Sequence, residues 1–389
     1  MRGGPGKAKR GAEVLPSDAF ALFHDIEVQP GDAFRLRSIL LNGGPVWPRF
    51  RRQTAVRFVW RGTYVDDPVE PSAGPHEVVD QPCLWGGYAI PHFGHLIADH
   101  LTRVLAGRMH RPDDLMLFLR RPGDADAPGY FWDLMDWYGV PRGQVRFVTG
   151  PLRVRELRCF AQAEPFGSWP PDDRYLDMLA QNAVRVEPVV APLVYVGRMG
   201  MPALGKGGVA GESYLVQVLH RLGVAVLDPA RAPLAAQMAA YAGAGVLVFA
   251  EGSAVHGRQL LGRLDQKVVV LNRRLGARIA EAALRARARD VTYVEATARV
   301  IAMGTLAGMQ SAQGLSLYDL DAVLAAFAQH GVDLAAVWDT DAYQAAVLAD
   351  AESWLTTLMT RERAILFDLT MAAEGLREAG VPVNIAGLG

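Results

Sequence analysis

Three histidines, an aspartate and an arginine lie within one short stretch of the sequence, residues 85–103 (WGGYAIPHFGHLIADHLTR). The chain has only 9 His in 389 residues, so this concentration asks for a reason. With about 100° between consecutive residues of an α-helix, four side chains share one face: His92, His95, Asp99 and Arg103. The opposite face is apolar and comprises Ile97, Leu101, Val104 and Leu105. The pattern predicts an amphipathic helix with a titratable side.

This titratable face allows three interpretations. The first is an ordinary solvated face, although such faces are usually made of Glu, Lys, Arg and Gln. The second is a metal site formed by His92, His95 and Asp99, but their spacing matches no strong zinc motif. The third is a general base with an orienting partner, in which a His or Asp takes a proton from a hydroxyl and Arg103 steers an anion.

A second candidate site is the turn that follows the apolar run GVLVFA. It comprises Glu251, Gly252, Ser253 and Ala254, with His256 in the first turn of the next helix. Small residues let backbone N–H groups approach a ligand, and a helix N-terminus favours a phosphate. Ligands of doubly wound sheets bind at the carboxyl ends of strands, where this turn lies. An ordinary strand-to-helix turn uses the same small residues, so the pattern alone leaves both interpretations open.

A third element lies at the corresponding end of another predicted strand, VYVGRMGMPALGKGG. Arg198 follows this strand directly, and Lys206 lies in the Gly-rich loop. The chain contains only four lysines, so one in such a loop suggests a diphosphate contact. Glu212 begins the next predicted helix, where a carboxylate also favours the helix N-terminus by itself.

The elements that must position these residues are clearest between about 190 and 300. Apolar runs alternate there with segments of helical period, and we expect a parallel sheet covered on both faces. The runs are LVYV, VAVL, GVLVFA, KVVVLN and VTYVEA, and the helical segments are ESYLVQVLHRLG, PLAAQMAAYAG, AVHGRQLLGRL and GARIAEAALRARA. The first half is less regular, with strands predicted at TAVRFVW, LMLFLRR and QVRFVTG and helices at 93–108 and 130–138.

Length and composition set the wider frame. A chain of 389 residues suggests more than one domain, and we predict a disordered leader (1–18), two domains (19–188 and 189–300) and a helical extension (301–389). A formal net charge of -1 argues against nucleic-acid binding as the main role. Two cysteines are too few for a disulfide framework and indicate a reducing compartment. No apolar run approaches the roughly 20 residues that cross a bilayer, so a cytoplasmic protein with at most peripheral membrane contact is expected.

The order and spacing of four features over residues 80–275 resemble the bacterial branch of glycosyltransferase family 61. The features are the Gly-Gly turn with PHFGHLIADHLTR, the strand VYVGR with its loop and Glu212, the segment LDPARAPLAAQMAAYAGAGVLVFAEGSA, and the strand KVVVLN. Two positions depart from the family pattern. Glu251 stands where many relatives have the His of a His-Gly-Ala-Gly turn, and Gly257 stands where Asn is common.

The resemblance implies an α/β, GT-B-like fold, with two Rossmann-like domains facing across a cleft. It implies inverting transfer of a sugar from a nucleotide-sugar donor, with a UDP-sugar expected first, to a glycan or lipid-linked glycan acceptor in cell-surface polysaccharide synthesis. No cofactor and no metal would be required, and an oligomer is possible. The acidic triplets at 124–126, 319–321 and 339–341 agree with this, since none ends a predicted strand as a metal-dependent site would need.

Roles for the candidate residues follow from that resemblance. Asp99 or His95 would be the base, with His92 as a third candidate. The donor set would comprise Arg198, Lys206, Glu212, Glu251, Gly252, Ser253, Ala254 and His256. Within it, Glu251 would bond sugar or ribose hydroxyls, while backbone N–H groups would bind the diphosphate. The alternatives are a pyruvyl or other non-sugar transferase using phosphoenolpyruvate, a non-catalytic nucleotide-binding protein, and a zinc hydrolase built on His92, His95 and Asp99.

Overall fold

The predicted α/β class is confirmed by a computed structural model. It describes residues 12–31, 43–120, 126–204, 206–305, 308–360 and 369–384, without the side chains of 303–312. The chain divides into two compact units. Unit 1 comprises the residues up to 185 together with 256–263 and 282–287, and unit 2 comprises 186–255, 264–281 and the residues from 288 onward.

Unit 1 is built on a seven-stranded mixed sheet with the order β2-β1-β9-β6-β7-β8, in which β5 also pairs with β9. The strands of the unit are β1 (Phe20–Gln29), β2 (Gly44–Pro45), β3 (Val59–Trp60), β4 (Thr63–Tyr64), β5 (Glu77–Val79), β6 (Cys83–Tyr88), β7 (Leu115–Leu119), β8 (Val145–Phe147) and β9 (Leu152–Phe160). Its helices are α1 (Phe93–His95), α2 (Val104–His110), α3 (Gly129–Trp137) and α4 (Asp173–Ala183).

Strand β6 lies in the middle of the parallel part of this sheet. It pairs in parallel with β7 on one side and with β9 on the other. The carboxyl ends of β6 and β9 are therefore neighbours at one edge of the sheet. Two segments leave from that edge: the histidine-rich stretch after β6 and the loop 161–172 after β9.

The predicted continuous helix over 93–108 is wrong, because the chain changes helical form three times there. α1 is followed by a π-helix (Leu96–His100) and a 3-10 helix (Leu101–Arg103) before α2 begins. A π-turn widens the helix and alters the direction of every later side chain. Asp99 and Arg103 are both buried, at 0% and 4% exposure, so the solvated-face interpretation is also wrong.

The start of the chain differs from the predicted leader as well. Residues 1–11 lie outside the described residues, but Ser17 is buried. Its Oγ donates to Asp172 at 2.7 Å, and its backbone N–H donates to the same carboxylate at 2.9 Å. Asp172 is the N-cap of α4. Ser17 is therefore held against the start of α4 and belongs to the folded part of unit 1.

Unit 2 contains a five-stranded parallel sheet with the order β12-β10-β13-β14-β15 and a three-stranded sheet with the order β11-β17-β16. The strands are β10 (Ala191–Val196), β11 (Val209–Ala210), β12 (Ala225–Leu227), β13 (Ala244–Ala250), β14 (Leu264–Leu271), β15 (Ala288–Val294), β16 (Thr297–Thr305) and β17 (Gly308–Tyr318). The helices of the unit are α5 (Glu212–Arg221), α6 (Leu234–Gly243), α8 (Leu320–Ala328), α9 (Thr340–Met359) and α10 (Leu369–Glu378). α7 (Glu281–Arg285) lies, except for its first residue, in the segment 282–287 of unit 1.

The strand order of the parallel sheet creates a topological switch point. From β10 the chain moves to β12 on one side, and then returns to β13 on the other. Right-handed crossovers therefore put α5 and α6 on opposite faces. α5 shares a buried cluster with Tyr195 and Val248, whereas Tyr241 of α6 packs edge-on against Phe249 at 5.4 Å. The five predicted strands of this region are confirmed, as are the helices predicted at ESYLVQVLHRLG (α5) and PLAAQMAAYAG (α6). The helix predicted at GARIAEAALRARA is reduced to the five residues of α7.

The C-terminal third completes the core of unit 2. Residues of α8, α9 and α10 join the same buried cluster as α5, and Trp354 of α9 is fully buried in it. Phe327 of α8 packs against Tyr195 of β10 at 6.0 Å. Strands β16 and β17 were not predicted, because the stretch 297–318 is rich in Gly, Ala and Met and has few of the β-branched runs that mark a strand.

Two segments from the second half of the chain are held in unit 1 by a buried ion pair. Arg287 donates from Nη1 and Nη2 to both carboxylate oxygens of Glu164, at 2.8 and 2.6 Å. The side chains are 0% and 2% exposed. Arg287 also donates to the carbonyl of Gln259 at 3.2 Å, so one guanidinium joins the loop after β9 to residues 256–263.

We expect Glu164→Ala to lower the free energy of unfolding by about 3–5 kcal/mol, because it leaves the Arg287 guanidinium buried without its carboxylate. Urea denaturation at pH 7, followed by tryptophan fluorescence, measures the change. Arg174→Ala, which removes a half-exposed pair with Asp18, is the control and should cost less than about 1 kcal/mol. A Glu164→Ala/Arg287→Met variant no more stable than Glu164→Ala would contradict this account.

Candidate functional site

The structure joins two of the candidate bases of unit 1 in a hydrogen bond. His95 Nδ1 lies 2.7 Å from Asp99 Oδ2. Asp99 is fully buried, while the His95 side chain is 31% exposed. A buried carboxylate on one ring nitrogen fixes the tautomer and orientation of an imidazole, so that the other nitrogen, Nε2, can exchange a proton with a hydroxyl.

The loop after β9 supplies the rest of the Asp99 environment. The Phe166 N–H donates to Asp99 Oδ1 at 3.1 Å, and Gln162 Nε2 donates to the Asp99 carbonyl at 2.8 Å. Burial raises the pKa of Asp99, and the bonds from His95 and Phe166 act in the opposite direction. Gln162 and Phe166 were not predicted as site residues, since nothing in their local sequence indicates contact with residue 99.

His92 and His256 complete an aromatic group around the dyad. His92 caps α1 by accepting from the His95 N–H at 3.3 Å, and the two imidazole rings lie 4.6 Å apart. The centroid of the Phe166 ring lies 5.8 Å from that of His95 and 5.9 Å from that of His256. Burial, together with the nearby histidines, lowers the pKa of His256 to about 4, so this ring is neutral. His256 lies in the 3-10 helix that starts at Ser253, close after the predicted phosphate turn, and its Nδ1 bonds Gln259 Oε1.

In unit 2, Arg198 and Gly252 meet at the switch point between β10 and β13. A Cβ on residue 252 would overlap Arg198 Nη1, so only Gly allows the guanidinium to lie against the turn. Nε and Nη2 of Arg198 donate to the Gly207 carbonyl at 3.1 and 2.6 Å. Nη1 has no hydrogen-bond partner in the described part of the chain. Arg198 is 7% exposed, and its burial lowers its pKa.

Glu212 orients the Arg198 backbone. Its Oε1 accepts from the Arg198 N–H at 2.8 Å and from the Tyr195 hydroxyl at 2.7 Å. Burial raises the pKa of Glu212 from its ordinary value of 4.5 to about 7, against the opposing effect of these two bonds. Glu212 is therefore more than a helix N-terminal acid, although it lies behind Arg198 rather than beside an open surface.

Glu251 bonds the segment that follows β14. It is fully buried, and Oε2 accepts from the N–H groups of Arg273 and Arg274 at 3.1 and 2.9 Å. Oε1 forms an ion pair with the Arg274 guanidinium. The carboxylate thus holds the segment after β14, and its bonding to sugar or ribose hydroxyls stays a prediction.

Arg273 and Arg274 are functional candidates that sequence reasoning missed. They follow β14 directly, at the same sheet edge as Arg198, so the letters NRR after KVVVL carried the signal. Arg273 is 2% exposed and donates to the Gly314 carbonyl at 3.1 Å. Burial, followed by the nearby Arg198 charge, lowers the pKa of Arg273 to about 9.

The other predicted donor residues are more exposed than Arg198 and Arg273. Ser253 and Ala254 are half-buried in the 3-10 helix Ser253–Leu260, which replaces the α-helix predicted there. Lys206 is exposed and donates its backbone N–H to the Met201 carbonyl at 3.0 Å.

The acidic triplets at 319–321 and 339–341 lie at helix starts as predicted, with Asp319 and Asp339 as N-caps. The triplet 124–126 falls largely outside the described residues.

Comparisons with known proteins assign no family. No protein-family model matches the chain, and a search of curated proteins finds no match.

Within the described residues, no group of three or more His, Cys, Asp and Glu side chains could hold a metal ion. No helix in that part of the chain is long and apolar enough to span a membrane.

The raised pKa of Glu212 predicts a pH-dependent stability. Burial favours the protonated form of Glu212 in the folded protein. The stability that this protonated form contributes is complete below about pH 4.5 and is lost as the pH rises through 7. Glu212→Gln removes the ionisation but keeps an oxygen acceptor. Between pH 5 and pH 8 it should therefore gain stability relative to wild type, by on the order of 2–3 kcal/mol.

Urea denaturation at the two pH values measures this difference. Glu187→Gln, at an exposed position of unit 2, should show no such pH dependence. A Glu212→Gln variant that follows the wild-type pH profile would show that Glu212 does not titrate in this range.

Proposed function

We propose that the protein is a GT-B-like glycosyltransferase, which moves a sugar from a nucleotide donor to a glycan or lipid-linked glycan acceptor by inverting displacement. The observation that carries the proposal is the contact of Arg198 with Gly252 at the switch point of a doubly wound parallel sheet. Ligands of such sheets bind at the switch point. A guanidinium held against a glycine turn there suits a diphosphate.

Charge supports an anionic ligand in unit 2. Three guanidiniums, of Arg198, Arg273 and Arg274, gather at one sheet edge with the carboxylates of Glu212 and Glu251. Because the pKa of Glu212 is near 7, part of the population at neutral pH carries a single carboxylate charge against three cations. A nucleoside diphosphate would add negative charge beside these guanidiniums, and the N–H groups of 252–254 would add donors.

The base in this proposal is His95, with Asp99 as its orienting partner. Asp99 is fully buried and already bonded to His95 and Phe166, so it does not meet a substrate itself. The acceptor hydroxyl would transfer its proton to His95 Nε2 as its oxygen attacks the anomeric carbon. The bond from that carbon to the diphosphate oxygen breaks, and Arg198 stabilises the leaving group in place of a metal ion.

The wider setting is part of the same proposal. The two units would correspond to acceptor and donor domains of a GT-B frame, with a UDP-sugar as the first donor to test. A cytoplasmic location would suit the two cysteines, Cys83 and Cys159, which are free and buried. Neither nucleic acid nor a cofactor is part of the proposed reaction.

A nucleoside diphosphate should raise the melting temperature of the protein, with or without EDTA. The test panel is UDP, GDP, CDP, CMP, ADP and phosphoenolpyruvate. A ligand at 100 times its dissociation constant adds about 2.7 kcal/mol of stability, and Arg198→Ala and Gly252→Ala should each abolish this gain. Thermal melting measures the shift, and the nucleoside that acts identifies the donor class.

Arg231→Ala is the matched control, since that arginine is 82% exposed and lies in the same unit. Its ligand-induced shift should equal that of wild type. Stabilisation by phosphoenolpyruvate alone would favour the pyruvyl transferase. A loss of stability with EDTA alone would favour the zinc hydrolase.

His95→Ala should lower kcat for sugar transfer by about 100- to 10,000-fold, the usual contribution of a general base. The nucleotide-induced melting shift should persist, because the donor residues are unchanged. Transfer from radiolabelled UDP-sugars to a glycan acceptor measures the rate. His110→Ala, at an exposed position on α2, should keep the wild-type rate. Full activity of His95→Ala would favour a nucleotide-binding role without this base.

A further inference from the structure

The strands of the parallel sheet in unit 2 end side by side at its carboxyl edge. Gly197, just after β10, donates its backbone N–H to the Leu227 carbonyl at 2.9 Å, and Glu251, just after β13, donates to the Leu271 carbonyl at 3.0 Å. Ligands of doubly wound sheets bind at this edge. Charged residues follow each strand closely there: Asp228 after β12, Arg198 after β10, Glu251 after β13, Arg273 and Arg274 after β14, and Glu295 after β15.

Two of the three carboxylates in this row are already paired with arginine. Glu251 forms an ion pair with Arg274. Glu295 Oε1 lies 2.7 Å from Arg278 Nη1 and accepts from Asn272 Nδ2 at 2.9 Å. These two acids therefore have partners of their own within unit 2.

Asp228, the third carboxylate, is less engaged and keeps 12% of its side-chain surface exposed. Its Oδ1 accepts from the Ala230 N–H at 3.0 Å, whereas Oδ2 accepts no hydrogen bond from the described residues. Arg231 Nε lies 3.6 Å from Oδ2, but that side chain is 82% exposed, so the pair is weak. A Cβ on residue 200 would come within 2.8 Å of Oδ2, so the carboxylate lies against the loop that carries Arg198.

Asp228 and Gly252 follow the strands on opposite sides of β10, the strand that leads to Arg198. β10 pairs with β12 on one side and with β13 on the other, and neighbouring strands lie about 4.8 Å apart. A diphosphate at Arg198 and Gly252 would therefore have the Asp228 carboxylate about one strand beyond it. A carboxylate repels phosphate oxygens but accepts from hydroxyls. In a nucleoside diphosphate, the hydroxyls nearest to the phosphates are those of the ribose.

A carboxylate in this position has a known use in sheets of this kind. Where a doubly wound sheet binds a dinucleotide, an acidic residue beyond the phosphate-binding turn bonds a ribose hydroxyl. Here Arg198 follows β10, and Asp228 ends β12, the next strand of the same sheet along the chain. The order of the two groups is therefore that of a phosphate contact followed by a ribose contact.

We propose that Asp228, rather than Glu251, accepts hydrogen bonds from the 2′- and 3′-hydroxyls of the donor ribose. The nucleoside then lies across β10 towards β12, and the ligand is a ribonucleotide. This inference rests on the proposed function, because it starts from a nucleoside diphosphate at Arg198.

Isothermal titration calorimetry tests the proposal with UDP, GDP, CDP and ADP, each compared with its 2′,3′-dideoxy analogue. Wild-type protein should bind its preferred ribonucleotide at least about 10-fold more tightly than the analogue, since hydrogen bonds to a charged group are among the stronger ones. Asp228→Ala should bind both forms equally. Its affinity for the analogue should match or exceed that of wild type, because a negative charge beside the diphosphate is removed.

That last comparison separates a ribose contact from a structural role, which would weaken both forms alike. Asp228→Asn keeps an oxygen for the Ala230 N–H, so it should fold as wild type does and lose part of the preference. Asp265→Ala is the matched control. Asp265 is 78% exposed at the start of β14, the opposite edge of the same sheet, and its removal should leave the preference unchanged.

Two results would overturn this proposal alone. They are equal wild-type affinity for a ribonucleotide and its dideoxy analogue, and a preference that survives in Asp228→Ala. In both cases a nucleoside diphosphate still binds, so the proposed function stands. An absence of binding by all four ribonucleotides would overturn the ribose contact and the nucleotide-donor proposal together.

Discussion

The hydrogen bond between Asp99 and His95 is the constraint on which the organisation of unit 1 depends. A fully buried carboxylate costs several kcal/mol unless bonds replace its lost hydration. His95 and the Phe166 N–H meet that requirement. Gln162 extends the arrangement, since it donates to the Asp99 carbonyl while its own Oε1 accepts from the Val59 N–H at 2.6 Å. The carboxylate thus fixes the segment after β6, the loop after β9 and strand β3 together.

The change of helical form after β6 follows from the same requirement. A uniform α-helix would carry Asp99 and Arg103 on one polar face, which the sequence pattern predicts. With the π-helix, Asp99 reaches His95 and the β9 loop, while Arg103 reaches Val56 and Cys159. His100 then stacks on Phe58, with ring centroids 4.8 Å apart. One irregular stretch therefore places Asp99, His100 and Arg103 in three different environments, and π-helical turns are frequent at functional sites.

Local pattern predicts the fold of unit 2 better than that of unit 1. The parallel strands β10, β13 and β14 are continuous apolar runs, because a sheet covered on both faces buries every side chain. Strands β1 and β9 alternate polar and apolar residues only in part, because β1 begins with the apolar run FALF and β9 carries two polar residues in succession at Arg155 and Glu156. Neither sequence therefore has an uninterrupted period of two. The 3-10 helix at 253–260 has helical apolar spacing, yet most of it packs with unit 1.

The bond between Phe166 and Asp99 joins residues 67 positions apart, and the Arg287–Glu164 pair joins residues 123 positions apart. No local pattern contains such pairs.

The charges of unit 2 point to an anion more strongly than the motif does. Glu251 satisfies Arg274 and two backbone N–H groups, while Glu212 bonds Tyr195 and the Arg198 backbone rather than a guanidinium. Among the described residues, the Arg198 guanidinium donates hydrogen bonds only to the Gly207 carbonyl, and the nearby carboxylates of Glu212 and Glu251 attract it without a direct bond. A buried cation in that condition is costly. Its repulsion by Arg273 adds to the cost. A diphosphate beside Arg198, as in the proposed reaction, would offset both costs.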